Sequence, residues 1–169
     1  MEARLTGIDR SELLRYLRYR GGEIPTGLED ELARCEELLM RTARPRAVWR
    51  LFDRLPDGSL ACCVYQPRGN DIRALLQDCD QVILMAATLG VEAEMLLRRA
   101  QSGSMSEAVI LDAAGSAAIE NVCDNLCADL AAALQRSCGS SRPCGMTSCL
   151  WATQMDDPAK AVKNNGIIA

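Results

Sequence analysis

SEAVILDAAGSAAIENVCDNLCADLAAALQR, residues 106–136, decides the fold class. The stretch is rich in Ala, apolar on most faces, and long enough for one helix of about 45 Å at about 1.5 Å per residue. Ser104 and Glu107 stand three apart just ahead of it, which is capping-box spacing. A helix with so little polar surface has to be covered by other elements, so it is expected to form the centre of the core.

Working back from it, GVEAEMLLRRAQ at 90–101 continues as a helix, and QVILMAATLG at 81–90 reads as a buried strand ending in a Gly turn. Gly69-Asn70-Asp71 opens a short amphipathic helix. Residues 46–55 and 59–65 carry Val, Trp, Phe, Cys and Tyr around Pro56-Asp57-Gly58, which predicts a hairpin. Leu28, Leu32, Cys35 and Leu39 share one face of a helix, with Thr26 and Glu29 at capping-box spacing. Asp9 and Glu12 repeat that spacing before a helix over 9–19, which Gly21-Gly22 ends. After Arg136 the periodicity stops, and SCGSSRPCGMTSC reads as a loop. The expected fold is α+β: a single domain over 1–169 with an antiparallel sheet, flanking helices and one long core helix.

Composition bounds the chemistry. The chain has 169 residues, is 49% hydrophobic, and contains only two Trp, three Tyr and one Phe, so aliphatic side chains and Cys must fill the interior. The formal net charge of −4 argues against binding a phosphate backbone, so no nucleic-acid partner is expected. There is no His, which removes Ser-His-Asp and Cys-His catalysis from this chain. No apolar run reaches the length of a membrane span, and the N-terminal residues lack an export-signal core. Those features predict a cytoplasmic location with no membrane contact. In that compartment the nine Cys are expected to stay reduced, and without CxxC pairs no stoichiometric metal is expected.

Two carboxylates stand out. Glu120 and Asp124 lie one turn apart inside the most apolar helix. Such a pair either forms a solvated stripe or aims an acidic group into a cleft suited to an ammonium or sulfonium cation. Thr88-Leu89-Gly90 forms a strand-to-helix turn of the kind that offers N–H groups to a ligand, a weak signal taken alone. Tyr16 and Tyr19 are expected to pack on the hairpin rather than stack on a base.

Three segments taken together, IDRSELLRYLRYRG at 8–21, GNDIRALLQDCDQVILMAATLG at 69–90 and MSEAVILDAAGSAAIENVCD at 105–124, resemble the activation (reactivation) domain of cobalamin-dependent methionine synthase, in its stand-alone form. The resemblance is strongest over 8–136, and residues 137–169 diverge. It implies a C-shaped α+β domain that binds S-adenosylmethionine and docks on a cobalamin-binding methionine synthase subunit. A flavodoxin-like protein would donate the electron, and S-adenosylmethionine the methyl group, that restore the cobalamin of the partner. On this resemblance Glu120 matches an acidic position that contacts S-adenosylmethionine, and Asp9 a second one near the N-terminus.

Arg142 and Gly145, in Arg142-Pro143-Cys144-Gly145-Met146, stand for the family's Arg-Pro-x-x-Gly-Tyr loop. Here the loop is one residue short and has Met in place of Tyr. The stretch that follows is also shorter than in the family, although Pro158-Ala159-Lys160-Ala161-Val162 resembles its closing segment. Two alternatives stand beside this reading: a docking module of the same fold that has lost the ligand, and an unrelated Cys-rich metal or redox α+β protein.

Overall fold

A computed structural model of the chain describes residues 2–22, 24–61, 63 and 68–137. The class is α+β: five helices and a two-stranded antiparallel sheet among the described residues. In chain order they are α1 (Arg10–Tyr16), α2 (Thr26–Thr42), β1 (Arg46–Asp53), α3 (Asn70–Leu76), β2 (Gln81–Thr88), α4 (Val91–Gly103) and α5 (Met105–Ser137). The described chain divides into two compact units. One holds residues 2–47 and 87–130, with α1, α2, α4 and most of α5. The other holds 48–86, with most of the sheet and α3, together with 131–137.

In the first unit α5 is the long helix that its composition predicts. Its 33 residues span about 50 Å, and Ser104 Oγ caps the start by accepting the Glu107 N–H at 3.3 Å. Ala108, Ile110, Leu111, Ala114, Ala117 and Ala118 are buried along it. They pack in one cluster with Leu13 of α1, Leu32, Cys35 and Leu39 of α2, and Ala93 and Ala100 of α4. So many Ala residues leave room for neighbouring helices to come close, and the Leu side chains of α1 and α2 fill the space. Truncating one of those Leu residues to Ala removes about 2–5 kcal/mol by the usual cavity cost.

The second unit has a smaller core of Leu60, Leu76 and Val82, with Phe52, Ile72, Cys79 and Leu84 half-buried around it. β2 buries only Val82 and Ile83, where the sequence reads as a fully buried strand. Among the described residues its sheet has one other strand, so most of β2 keeps some exposure. The Pro56-Asp57-Gly58 turn forms as expected. Gly58 takes φ +84°, Leu55 N–H donates to the Ser59 carbonyl at 2.8 Å, and Arg54 bridges to Leu60. Pairing continues to Ala61, whose N–H donates to the Asp53 carbonyl at 2.8 Å. Cys63 N–H donates back to the Leu60 carbonyl at 3.2 Å, so the chain turns there, and β1 takes β2 as its partner. Residues 62 and 64–67 of that expected strand lie outside the described residues.

Helix ends account for the other differences. α1 stops at Tyr16, well before Gly21-Gly22, because Arg18 adopts φ +55°. Arg18 N–H donates to the Arg15 carbonyl and Tyr19 N–H to the Leu14 carbonyl, both at 3.0 Å, a Schellman closure with Arg where Gly is usual. Thr26 does not cap α2. It is the first helical residue, Pro25 holds the cap position, and no side-chain bond is made there. The Pro25 carbonyl instead accepts the Leu28 and Glu29 N–H groups, at 2.9 and 3.0 Å.

The Thr88-Leu89-Gly90 turn is fixed by packing. Gly90 has φ +94°, its N–H donates to Thr88 Oγ1 at 3.1 Å, and Arg44 N–H donates to the Leu89 carbonyl at 2.7 Å. A Cβ on Gly90 would sit 2.8 Å from the Arg44 carbonyl oxygen. Gly103, at the last turn of α4, has open space around a Cβ. The two positions should therefore respond in opposite directions to Ala. Gly90→Ala is expected to cost roughly 3 kcal/mol or more, from strain and a backbone clash. Gly103→Ala is expected to add up to about 1 kcal/mol by restricting the unfolded chain. Urea unfolding of both variants checks the pair.

Candidate functional site

The polar stripe of α5 is where the sequence-predicted carboxylates lie, and the N-terminal part of the chain is bound across it. Thr6 donates to Asn121 Oδ1 through both its N–H and Oγ1, each at 3.0 Å. Asn125 Nδ2 donates to the Arg4 carbonyl at 3.2 Å and to Thr6 Oγ1 at 3.0 Å. Arg4 pairs with Asp129 at 2.7 Å. Positions 121, 125 and 129 recur every four residues, so they form one line along the helix. The sequence carries that spacing, and it is the signal by which this seat could have been found.

One turn to the side, Glu120 meets α1. Tyr16 OH donates to Glu120 Oε1, and the Arg15 guanidinium lies 3.7 Å from the same oxygen. Tyr16 packs against the α5-centred core, not on the hairpin. Burial, with Glu120 accepting its proton, pushes the Tyr16 phenol above its ordinary range. Arg15 also donates from Nε to Glu12 Oε2 at 2.6 Å and lies over the Tyr16 ring, 4.5 Å from its centroid. Asp124, one turn beyond Glu120, has its carboxyl pushed up by desolvation and by the charge of Glu12. Arg15 thus stands between Glu12 and Glu120, and Asp124 feels the charge of Glu12. That arrangement leaves a surplus of negative charge beside an apolar helix, an environment suited to a cationic group.

Asp9 is used differently. Its carboxylate caps α1, accepting the Ser11 N–H at 2.8 Å, the Ser11 hydroxyl at 2.6 Å and the Glu12 N–H at 3.3 Å. Those bonds, the Ser11 hydroxyl foremost, hold its pKa below the usual carboxylate value. Asp9 precedes α1, whereas Glu120 meets the helix at its last residue, so the length of α1, about 10 Å, separates the points where they act. Arg142 and Gly145, the other two expected contacts, lie outside the described residues.

The described cysteines are Cys35, Cys63, Cys79, Cys123 and Cys127, and none of them is in a disulfide. Cys35 is fully buried, and desolvation pushes its thiol up to about 11, so it stays protonated and unreactive near neutrality. Among the described residues no three Cys, Asp or Glu are placed to hold a metal ion. No described helix is long and apolar enough to cross a membrane. Compared with known proteins, the chain matches no family model and no curated protein.

Substitutions at two positions separate architecture from chemistry here. Asp9→Ala should lower the urea midpoint while Asp9→Asn largely preserves it, since Asn also caps a helix. Because the folded-state pKa of Asp9 is depressed, the stability it contributes is fully present above about pH 4 and lost as pH falls below that value. A pH series of urea midpoints for the unmutated and Asn variants reads this directly. Tyr16→Phe should cost about 1–2 kcal/mol, less than the loss of a fully buried charged bond because Glu120 keeps Arg15.

Proposed function

We propose that this chain is an S-adenosylmethionine-binding reactivation subunit that serves a cobalamin-binding methionine synthase subunit. The observation that carries the reading is that Glu12 and Glu120 share the Arg15 guanidinium, that Asp124 feels the charge of Glu12, and that Glu120 holds a helix position that the resemblance assigns to ligand contact. A methionine moiety with a sulfonium carries positive charge at its sulfur and its amine, and this surplus of carboxylate complements both. Glu120 is half-buried and already oriented by Tyr16, so it is pre-organised to accept from an ammonium.

The chain's own part in such a reaction is to bind and position. The chain has no His, and burial keeps the Cys35 thiol protonated, so neither of these is the source of a base or nucleophile. S-adenosylmethionine supplies the methyl group, the cobalamin on the partner accepts it, and a flavodoxin-like donor provides the electron. Arg142 would face the ligand carboxylate.

A docking module without the ligand is the second reading, and the shortened loop over 142–146 favours it. Val91 and Met95 on α4, and Met105 and Val109 on α5, are exposed apolar side chains one turn apart on their helices. Apolar surface of that kind commonly meets a protein partner.

Calorimetry with S-adenosylmethionine and the full chain separates the two. The unmutated protein is expected to bind. Glu120→Gln keeps the size and the acceptor for Tyr16 but removes the charge, and it should weaken affinity by about tenfold to a hundredfold. Circular dichroism confirms that the variant is folded. No heat of binding for the unmutated chain at millimolar ligand favours docking alone. Undiminished binding by folded Glu120→Gln removes that residue from the site.

A further inference from the structure

A cavity of about 430 Å³ lies in the second unit, around the turn that follows β1. Its size falls within the range of about 300–1,000 Å³ typical of small-molecule sites. Arg54, Arg68 and Arg73 line it, together with Asp57, Ser59 and Leu76. We propose that this cavity binds the phosphoryl group of a small soluble ligand, with the three arginines as its seat. The inference is independent of S-adenosylmethionine binding and uses none of the residues around Glu120.

Charge is the first reason. In a chain of net charge −4, three guanidinium groups face one space with a single carboxylate among them. That carboxylate, Asp57, accepts the Ser59 N–H at 2.9 Å and the Ser59 hydroxyl at 2.6 Å and feels the charge of Arg54, which leaves the three arginines in excess by two. Among the described residues no ion pair involves Arg54, Arg68 or Arg73. Like charges lining one cavity repel each other, and an anion between them reverses the sign of that interaction.

The second reason is Arg54 itself. Its Nε is buried and has no hydrogen-bond partner among the described residues. A buried guanidinium N–H is ordinarily bonded, so this donor is desolvated and waiting for an acceptor. The backbone beneath it is fixed, since Arg54 N–H donates to the Asp80 carbonyl at 2.8 Å and the residue bridges to Leu60. Arg73 is held by α3. Two of the three cations therefore stand on regular structure, which is what a pre-formed site requires. A carboxylate has two oxygens to share among three guanidinium forks, whereas a phosphoryl group offers three, and the fork matches phosphate geometry well.

Titration of the full chain with inorganic phosphate, followed by calorimetry and by the arginine Nε–H signals in nitrogen-15 NMR, tests the proposal. Sodium chloride at matched ionic strength is the control. Saturable binding is expected, with a shift of the Arg54 Nε–H signal, and Arg54→Gln or Arg73→Gln should weaken it by about tenfold to a hundredfold. Arg68→Gln, in the segment ahead of α3, provides the same measurement if either of the others fails to fold. Glycerol 3-phosphate forms a second arm. Tighter binding than phosphate assigns the remaining volume to an ester, equal binding assigns the seat to free phosphate, and both support the site. No saturation at about 10 mM phosphate overturns it, as does an equal effect of chloride or undiminished binding by a folded double variant.

Discussion

The fold rests on one requirement: α5 is apolar nearly all round and must be covered. A helix of 33 residues with Ala, Ile, Leu, Val and Cys buried along it cannot stand in water, so α1, α2 and α4 lay their apolar faces against it. Asn121, Asn125 and Asp129 then fall in one line along α5, with Glu120 beside it. Each needs a partner or water, and the chain supplies partners from Arg4, Thr6, Arg15 and Tyr16. Covering the apolar surface and satisfying the polar stripe are the same act, because the segment that carries Leu13 into the core also carries Tyr16 to Glu120.

Local signals in the sequence reached the structure where they act alone. The length and composition of α5, the Gly90 break between β2 and α4, the Pro56-Asp57-Gly58 turn and the Asp9 cap all depend on neighbours a few residues away. Where several local solutions compete, the sequence misled. Thr26 has cap chemistry and a Glu three residues on, but the preceding Pro25 takes the cap position. Gly21-Gly22 looks like the end of α1, yet Arg18 accepts a left-handed backbone several residues earlier. Of the strand expected over 59–65, Leu60 and Ala61 pair with Arg54 and Asp53, Cys63 donates back to Leu60, and residues 62, 64 and 65 lie outside the described residues.

The site was legible only in part. Glu120 and Asp124 stood out because a carboxylate in an apolar helix demands explanation. Their surroundings were not visible, since Tyr16 and Glu12 reach them across more than a hundred residues of chain. Asp9 shows the opposite outcome: of its two readings, cap and ligand contact, the helix start uses the first. The arginine-lined cavity had no sequence signature at all. Arg54, Arg68 and Arg73 follow no motif, and the turn and α3 bring them to one space.

The strap formed by Arg4 and Thr6 has a consequence for the order of assembly. Its partners, Asn121, Asn125 and Asp129, lie 115 to 125 positions further along the chain. On a ribosome the N-terminal residues emerge first and have nothing to bind until the second half of α5 has been made. Leu5, Ile8 and Leu13, which end up packed in or against the core, stay without their α5 surface for the same interval. Closing so long a loop also carries an entropic cost that a local contact does not. Residues 4–13 therefore complete their packing only after α5 has been made.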